Sequence, residues 1–497
     1  MKRFAAPSRA LVAAAIAMAA CQSGAVAAAN TEEELKDLRE QVRQLRDLYE
    51  RRLSELEGRL RQAEQSAQSA RSEATAQTAR DGTRLPSTSG GGATVAASPP
   101  AAMPAGAGAI GEAAANPGIS AILNGVYGNL SRDPSTYRIS GFAPTGGEVA
   151  PPNRGASLGE SELVFSANID RHFRATMVAA LAPDDSVGVE EASIQTLGLG
   201  NGFSLKFGRF FSAVSYLNEI HAHAWDFTDT SLASKAFLGG KLGDDGLQLK
   251  WVAPTDLYFD IGAELGRGRK FPGGPDGGRN KNGFGAASLF AHLGGDWGTG
   301  AAWQLGLSHL RTRAQGRSWT DADATGTDVT NDFTGASRLW VAGGVLKWAP
   351  QGNASSTSFK LQGEYFRRTE EGELRYDTGA ASLGTQAGAY RSKQSGWYAQ
   401  AVYQFMPEWR VGYRFDRLDA GNTSIGLVDS GALTAADFPI LQRYNPSRNS
   451  LMVDWSPSEF SRVRLQFSRD RSQTGSADNQ VFLQYVMNLG AHGAHKF

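Results

Sequence analysis

The sequence predicts an all-β body: an antiparallel transmembrane β-barrel of about sixteen strands, or eighteen if two further short segments join the sheet, preceded by an α-helical coiled coil. Three observations carry this. The final stretch, Asn479 to Phe497, places Val481, Leu483, Tyr485, Met487 and Leu489 at alternate positions with Gln484 and Asn488 between them, the period of a strand. Across the C-terminal two-thirds, every second link between such segments is short. No apolar run after the first thirty residues reaches the roughly 20 residues of a membrane-crossing helix, and a chain that crosses lipid with strands must close them, because lipid cannot satisfy an open sheet edge.

Composition agrees with this reading. The 497 residues include 59 glycines, 9 % are aromatic, and 50 basic side chains balance 50 acidic ones. That balance gives no support to a nucleic-acid partner. Cys21 is the single cysteine, which excludes an internal disulfide and a thiolate metal cluster.

Residues 1–29 read as a secretory signal peptide. Lys2, Arg3 and Arg9 precede the apolar run Ala10 to Ala20, and cleavage after Ala27 or Ala29 fits a small-residue site. Cys21 offers a rival, a lipoprotein signal in which that thiol is acylated. Residues 30–64 read as a coiled coil, since Leu35, Leu38, Val42, Leu45, Tyr49, Leu53, Leu56, Leu60 and Ala63 recur at steps of three and four. Thr31 caps this helix and Glu32, Glu33 and Glu34 suit its positive end. Residues 65–116, rich in Ala, Ser, Gly and Pro, read as a flexible linker with too little apolar content for a core.

Residues 117–497 form the barrel. Sixteen alternating segments are counted, from 119–129 to 479–491. Tight turns fall at 169–172, 198–202, 254–256, 296–300, 349–355, 406–408 and 456–459, and long polar links at 266–283, 314–336, 368–394 and 419–447. The eighteen-strand variant needs Tyr137 to Phe142 and Leu374 to Asp377 to pair within the sheet. An even count brings both chain ends to the side of the short turns, the periplasm in an outer-membrane barrel. Within segments the faces separate: Trp409, Val411, Tyr413 and Phe415 oppose Arg410, Gly412, Arg414 and Asp416. Trp251, Trp297, Trp348, Trp397, Phe405, Trp409 and Trp455 are read as a belt around the short turns.

A chain ending on an aromatic in phase with an amphipathic strand resembles the closing strand of a bacterial outer-membrane barrel. The charged phase then lines the lumen: Lys206, Lys250, Lys347, Lys360, Arg410, Arg414, Arg462 and Arg464 on the basic side, Glu162, Asp170, Glu191, Asp260, Glu264, Glu364 and Asp416 on the acidic side. Because the two sets are nearly equal, a field across the pore is expected rather than a ring of one sign.

The text from Phe203 to Gly239, with Lys-Phe-Gly-Arg-Phe, a long loop and a returning Phe-Leu-Gly, resembles the phosphate-selective porin O and P type. That resemblance implies a loop that folds into the barrel, with Asn218, Glu219, His221, His223, Trp225, Asp226 and Asp229 at the constriction. It also implies a homotrimer in outer-membrane lipid; the narrow apolar seam of the coiled coil suggests self-association, and this rod, in the periplasm, would add to the trimer or reach toward the cell wall. The function expected is passive diffusion of small hydrophilic or charged solutes, with no cofactor. The alternative is binding or uptake of a divalent metal such as zinc. His221 and His223 would be ligands, completed by Glu219 or Asp226, since this loop and the ending Gly-Ala-His-Gly-Ala-His-Lys-Phe are similar to zinc-regulated outer-membrane proteins. No nucleotide-binding loop, nucleophile elbow or zinc-protease motif is present, and an enzyme is not expected.

Overall fold

The computed structural model of this chain describes residues 118–145, 149–184, 186–274 and 282–490. The signal peptide, coiled coil and linker, together with His492, His495 and Phe497, lie outside the described residues.

Seventeen strand segments make one antiparallel sheet. They are β1 (Gly118–Leu130), β2 (Gly155–Leu158), β3 (Ser161–Asn168), β4 (Phe173–Leu181), β5 (Val187–Thr196), β6 (Phe203–Phe211), β7 (Gly243–Val252), β8 (Tyr258–Gly266) and β9 (Ala286–Trp297). The second half comprises β10 (Ala301–Ala322), β11 (Asp328–Trp348), β12 (Ser358–Tyr376), β13 (Gln386–Met406), β14 (Trp409–Ile425), β15 (Ser447–Ser458), β16 (Ser461–Arg471) and β17 (Asp478–Gly490). From β3 to β17 consecutive strands pair, and β1 pairs with β17 from Ser120↔Gly490 to Leu130↔Gln480, so the sheet closes on itself. Both β2 and β3 pair with β1. They are one stave broken at Gly159, where the Asn124 side chain presses so closely that a Cβ would lie 2.4 Å from its Nδ2. The barrel therefore has sixteen staves, and closure removes the unpaired edges that lipid could not solvate.

The eighteen-strand variant is corrected. Leu374 to Tyr376 is the upper end of β12. Tyr137 to Phe142 is not a strand at all; Ile139 and Phe142 are buried against Phe237 inside the barrel, where their apolar surface is better hidden than at a sheet edge.

Two of the expected long links are also corrected. The spans 314–336 and 368–394 are mostly sheet: β10 and β11 run on to a tip at 323–327, and β12 and β13 to a tip at 377–385. A strand needs about 9–11 residues to cross the hydrocarbon, so the 22 residues of β10 rise far beyond it, to about 70 Å along the strand. Above the membrane both faces tolerate polar groups, which erases the alternation that marks the lower half.

The outward face is apolar, with Leu305, Leu307, Trp340, Leu361, Tyr365, Leu451, Leu465 and Leu483 all exposed. Trp297, Trp348, Trp409 and Trp455 are exposed beside the short turns, the last two with stacked rings 6.2 Å apart. Trp397 does not belong with them. It stands nine residues above Met406, roughly 30 Å along the strand, or about 23 Å in height at a tilt near 40°, which is close to the ~25 Å of a barrel's apolar band. It marks the upper rim of that band.

Candidate functional site

The link from β6 to β7, residues 212–242, folds into the lumen because its own composition leaves it no other place. Val214, Leu217, Phe227, Leu232, Phe237 and Leu238 are buried, and every residue of its helix α1 (Leu232–Leu238) is buried. Ser231 caps that helix through a 3.0 Å bond from Ser234 N–H, and Gly239 ends it in the left-handed region at φ 69°. Leu310, Leu339, Val341, Phe366, Tyr398 and Leu418 form the wall against which α1 packs. Where α1 packs against β10–β14 the interior is an apolar core, set beside charged inward side chains such as Glu364 and Asp416.

Wall carboxylates fasten the loop. Glu264 accepts from Ala213 N–H at 2.9 Å, from Gln248 at 2.8 Å, from Ser288 at 2.7 Å and from the Ser212 hydroxyl. Glu364 accepts from Tyr216 N–H at 2.8 Å, Ser215 Oγ at 3.0 Å and Tyr398 OH at 2.7 Å. Asp416 receives Leu232 N–H at 2.9 Å. Asn218 joins the loop's two ends, donating to the Ser212 and Leu242 carbonyls at 2.7 and 2.9 Å and accepting Leu242 N–H at 2.6 Å.

The basic side chains of β14–β16 meet the loop's carboxylates. Asp226 lies 3.0 Å from Lys360 and 3.3 Å from Arg410. Asp229 lies 2.5 Å from Arg448, 2.8 Å from Arg414 and 3.0 Å from Lys235. Arg464 donates to the Trp225 carbonyl at 2.8 Å, and Arg462 donates to the His223 carbonyl. Burial alone would push both loop carboxyls up, but Lys360 and Arg410 hold Asp226, and Arg448, Lys235 and Arg414 hold Asp229, well below the ordinary aspartate range. Arg414, Arg448 and Arg464 are almost wholly buried, so they act as fasteners of the loop as much as lumen charges.

The remaining candidates divide by position. Lys250 lies 3.6 Å from Asp260, which also takes His292 at 2.8 Å and Tyr258 OH at 2.5 Å. Lys206 sits over the Phe210 ring at 5.5 Å, and Lys347 stands directly across from Lys360 in the register. Asp170 is corrected: it caps the β3–β4 turn, accepting His172 and Phe173 N–H at 2.6 and 2.9 Å. Glu219 lines a pocket with Tyr216 and His292 and is not in the group that His221 and His223 make with Glu162. A cavity of about 340 Å³ opens at the short-turn end between Arg410, Arg462, Gln404, Glu408 and His223.

His221 and His223 do come together, with ring centroids 5.7 Å apart. Their carboxylate neighbours are not Glu219 or Asp226, which is a correction. Glu162 is 3.0 Å from His221 and 2.9 Å from His223, and Glu191 is 2.8 Å from His221. A bulge explains the crowding: β5 slips its register between Val178 and Ala179 of β4, leaving Glu190 unpaired, so two consecutive glutamates reach the same side.

Arg448 and Asp454 were not singled out from the sequence, though phase contained them. Leu451, Val453 and Trp455 face outward, which turns Arg448 and Asp454 inward; Asp454 lies opposite both Arg410 and Arg464 in the register.

Comparison with known proteins finds likenesses to porins. The family model described as phosphate-selective porin O and P matches residues 270–435, which are β9 to β14 and their links and not the Phe203 to Gly239 stretch. The chain resembles that family. It is 28 % identical over 368 residues, 69 % of this chain and 70 % of the other, to an uncharacterised protein of Aquifex aeolicus. Among solved structures it is similar to the trimer form of OmpT, an outer membrane protein of Vibrio cholerae (TM-score 0.45, 11 % identity, 75 % of this chain and 99 % of that one). It is also similar to OprB of Pseudomonas putida (TM-score 0.43, 14 %, 75 % and 94 %) and to an anion-selective porin from Comamonas acidovorans (TM-score 0.43, 10 %, 75 % and 99 %).

Proposed function

We propose that this chain is an outer-membrane porin that passes small hydrophilic or charged solutes by diffusion. The observation that carries the reading is a closed barrel, oily outside, whose charged inward face surrounds a loop held at mid-lumen. A closed sheet satisfies its backbone in lipid, and a face of Arg, Lys, Asp and Glu is stable there only when it meets water or its own counter-charges. The inward carboxylates of β3 to β8 face arginines of β14 to β16 that Asp226, Asp229, Asp416 and Asp454 partly balance, and the field across the lumen is what remains. Solute selection would arise where the loop narrows the passage between them.

Homotrimeric assembly is part of the proposal and follows from the resemblance. Proteoliposome swelling tests the function: vesicles carrying the folded barrel should swell in isosmotic small sugars and amino acids at rates that fall with solute size. Rates equal to those of protein-free vesicles would reject it.

A further inference from the structure

Four carboxylates, Glu160 and Glu162 from the β2–β3 stave and Glu190 and Glu191 from the β5 bulge, gather around His221 on the loop, while Lys241 lies close by with Nζ 3.6 Å above the Phe211 ring. Arg462 reaches the edge of the cluster by donating to the His223 carbonyl, but passage of solutes gives the gathered carboxylates no task.

Its hydrogen bonding is incomplete in one place. His221 Nδ1, Glu162 Oε2, Glu190 Oε2 and Glu160 Oε1 are all buried and without a hydrogen-bond partner. His221 Nδ1 nevertheless lies 3.0 Å from Glu162 Oε2 and 3.5 Å from Glu190 Oε2. These charged atoms meet one another in ion-pair contacts without good hydrogen-bond geometry, and an ion set among them would satisfy them together. Zinc bonds of about 2.0–2.1 Å in a tetrahedron set neighbouring ligand atoms about 3.3 Å apart, and the two contacts bracket that spacing. Glu162, His221 and His223 also each offer a donor atom within 4.8 Å of the others. The far nitrogen of His221, Nε2, meets Glu191 Oε1 at 2.8 Å, the outer carboxylate that ordinarily fixes the tautomer of a metal-bound imidazole.

We propose that His221 Nδ1, Glu162 and His223 form a site for a divalent cation of the zinc class, with Glu190 alongside and Glu191 as the residue that positions His221. Two imidazoles with carboxylates suit zinc, copper or nickel; calcium and magnesium want an oxygen shell. Such an ion ties the inward loop to β3 and β5, a part of the wall that β1 and β17 separate from the arginine-bearing β16, and so sets how firmly the constriction is held. The site stands whether or not the barrel conducts.

Zinc titration of the chelator-treated, detergent-folded full chain by calorimetry tests it, with cobalt absorption reporting the ligand field. Expected are one zinc per chain and a tetrahedral cobalt spectrum, with affinity falling about tenfold or more in Glu191→Gln and saturable binding lost in His221→Ala. Heat-modifiable gel migration verifies the barrel; should His221→Ala not fold, Glu162→Gln takes its place with the same expectation. Absence of stoichiometric zinc binding by the folded wild type overturns the proposal, as does affinity unchanged in the folded variants, which would put zinc elsewhere on the chain.

Discussion

Glu364 on β12 accepts the backbone N–H of Tyr216 at 2.8 Å, so a charge on the wall of the barrel determines where the lumen loop begins its path. The same carboxylate takes the hydroxyls of Ser215 and Tyr398. With Leu217 N–H at 3.5 Å, four donors depend on one group.

Removing that group should loosen the loop without breaking the sheet. Glu364→Ala leaves buried donors unmade and should cost about 2–3 kcal/mol of stability, read as a lower unfolding midpoint in denaturant. It should also raise current noise, since the loop's first turn is no longer held; unchanged stability and quiet currents would speak against the fastening role.

Asp229 neutralises a pair of arginines whose side chains are each about 1 % exposed, Arg414 and Arg448. Asp229→Asn keeps the shape and deletes the charge, and Asp416 still lies 3.1 and 3.4 Å from the two guanidiniums. A destabilisation of about 3 kcal/mol is expected, at the low end for a broken buried pair. The lumen gains net positive charge, so the reversal potential in a salt gradient should move toward anions.

Acid should release the loop late. The carboxyls of Asp226 and Asp229 are depressed in the folded state, so their contribution is fully present above the unfolded aspartate value of about 3.9 and is lost only as pH falls below it through the folded values. Protease access to residues 221–231 should stay constant from pH 8 to pH 5 and rise only under strongly acid conditions. A rise near pH 6 would point to other groups as the fasteners.

Leu483 lies on the outward face of β17, 48 % exposed. If that face meets lipid, Leu483→Arg should cost about 2–4 kcal/mol in folding titrations in bilayers, the value for arginine near the midplane. A neutral outcome would mean the face is not in hydrocarbon there.

The barrel was legible because one physical rule, alternate residues to alternate solvents, runs through the lower half of every strand. The sixteen staves and the short turns follow from it. It failed where that rule stops. Residues such as Arg317, Trp319 and Phe333 belong to β10 and β11 above the membrane, where Arg317 pairs with Glu370 at 2.7 Å and lies against Phe333, so the strands look like loops. The inward fold of residues 212–235 was anticipated through a resemblance, but its partners were not, because Glu264, Glu364 and Asp416 are brought to the loop by register between strands far apart in sequence. The histidines showed the same limit. Spacing found His221 and His223, yet Glu162 and Glu190 reach them only through a stave break and a bulge, neither of which the alternation marks.

Current through single barrels in a planar bilayer tests the central claim most directly. The folded full chain should give discrete, ohmic conductance steps that scale with salt concentration, because the charged face encloses water that ions share. Persistent silence from protein shown to be folded and inserted would contradict it, and the lumen would then be a filled core rather than a passage.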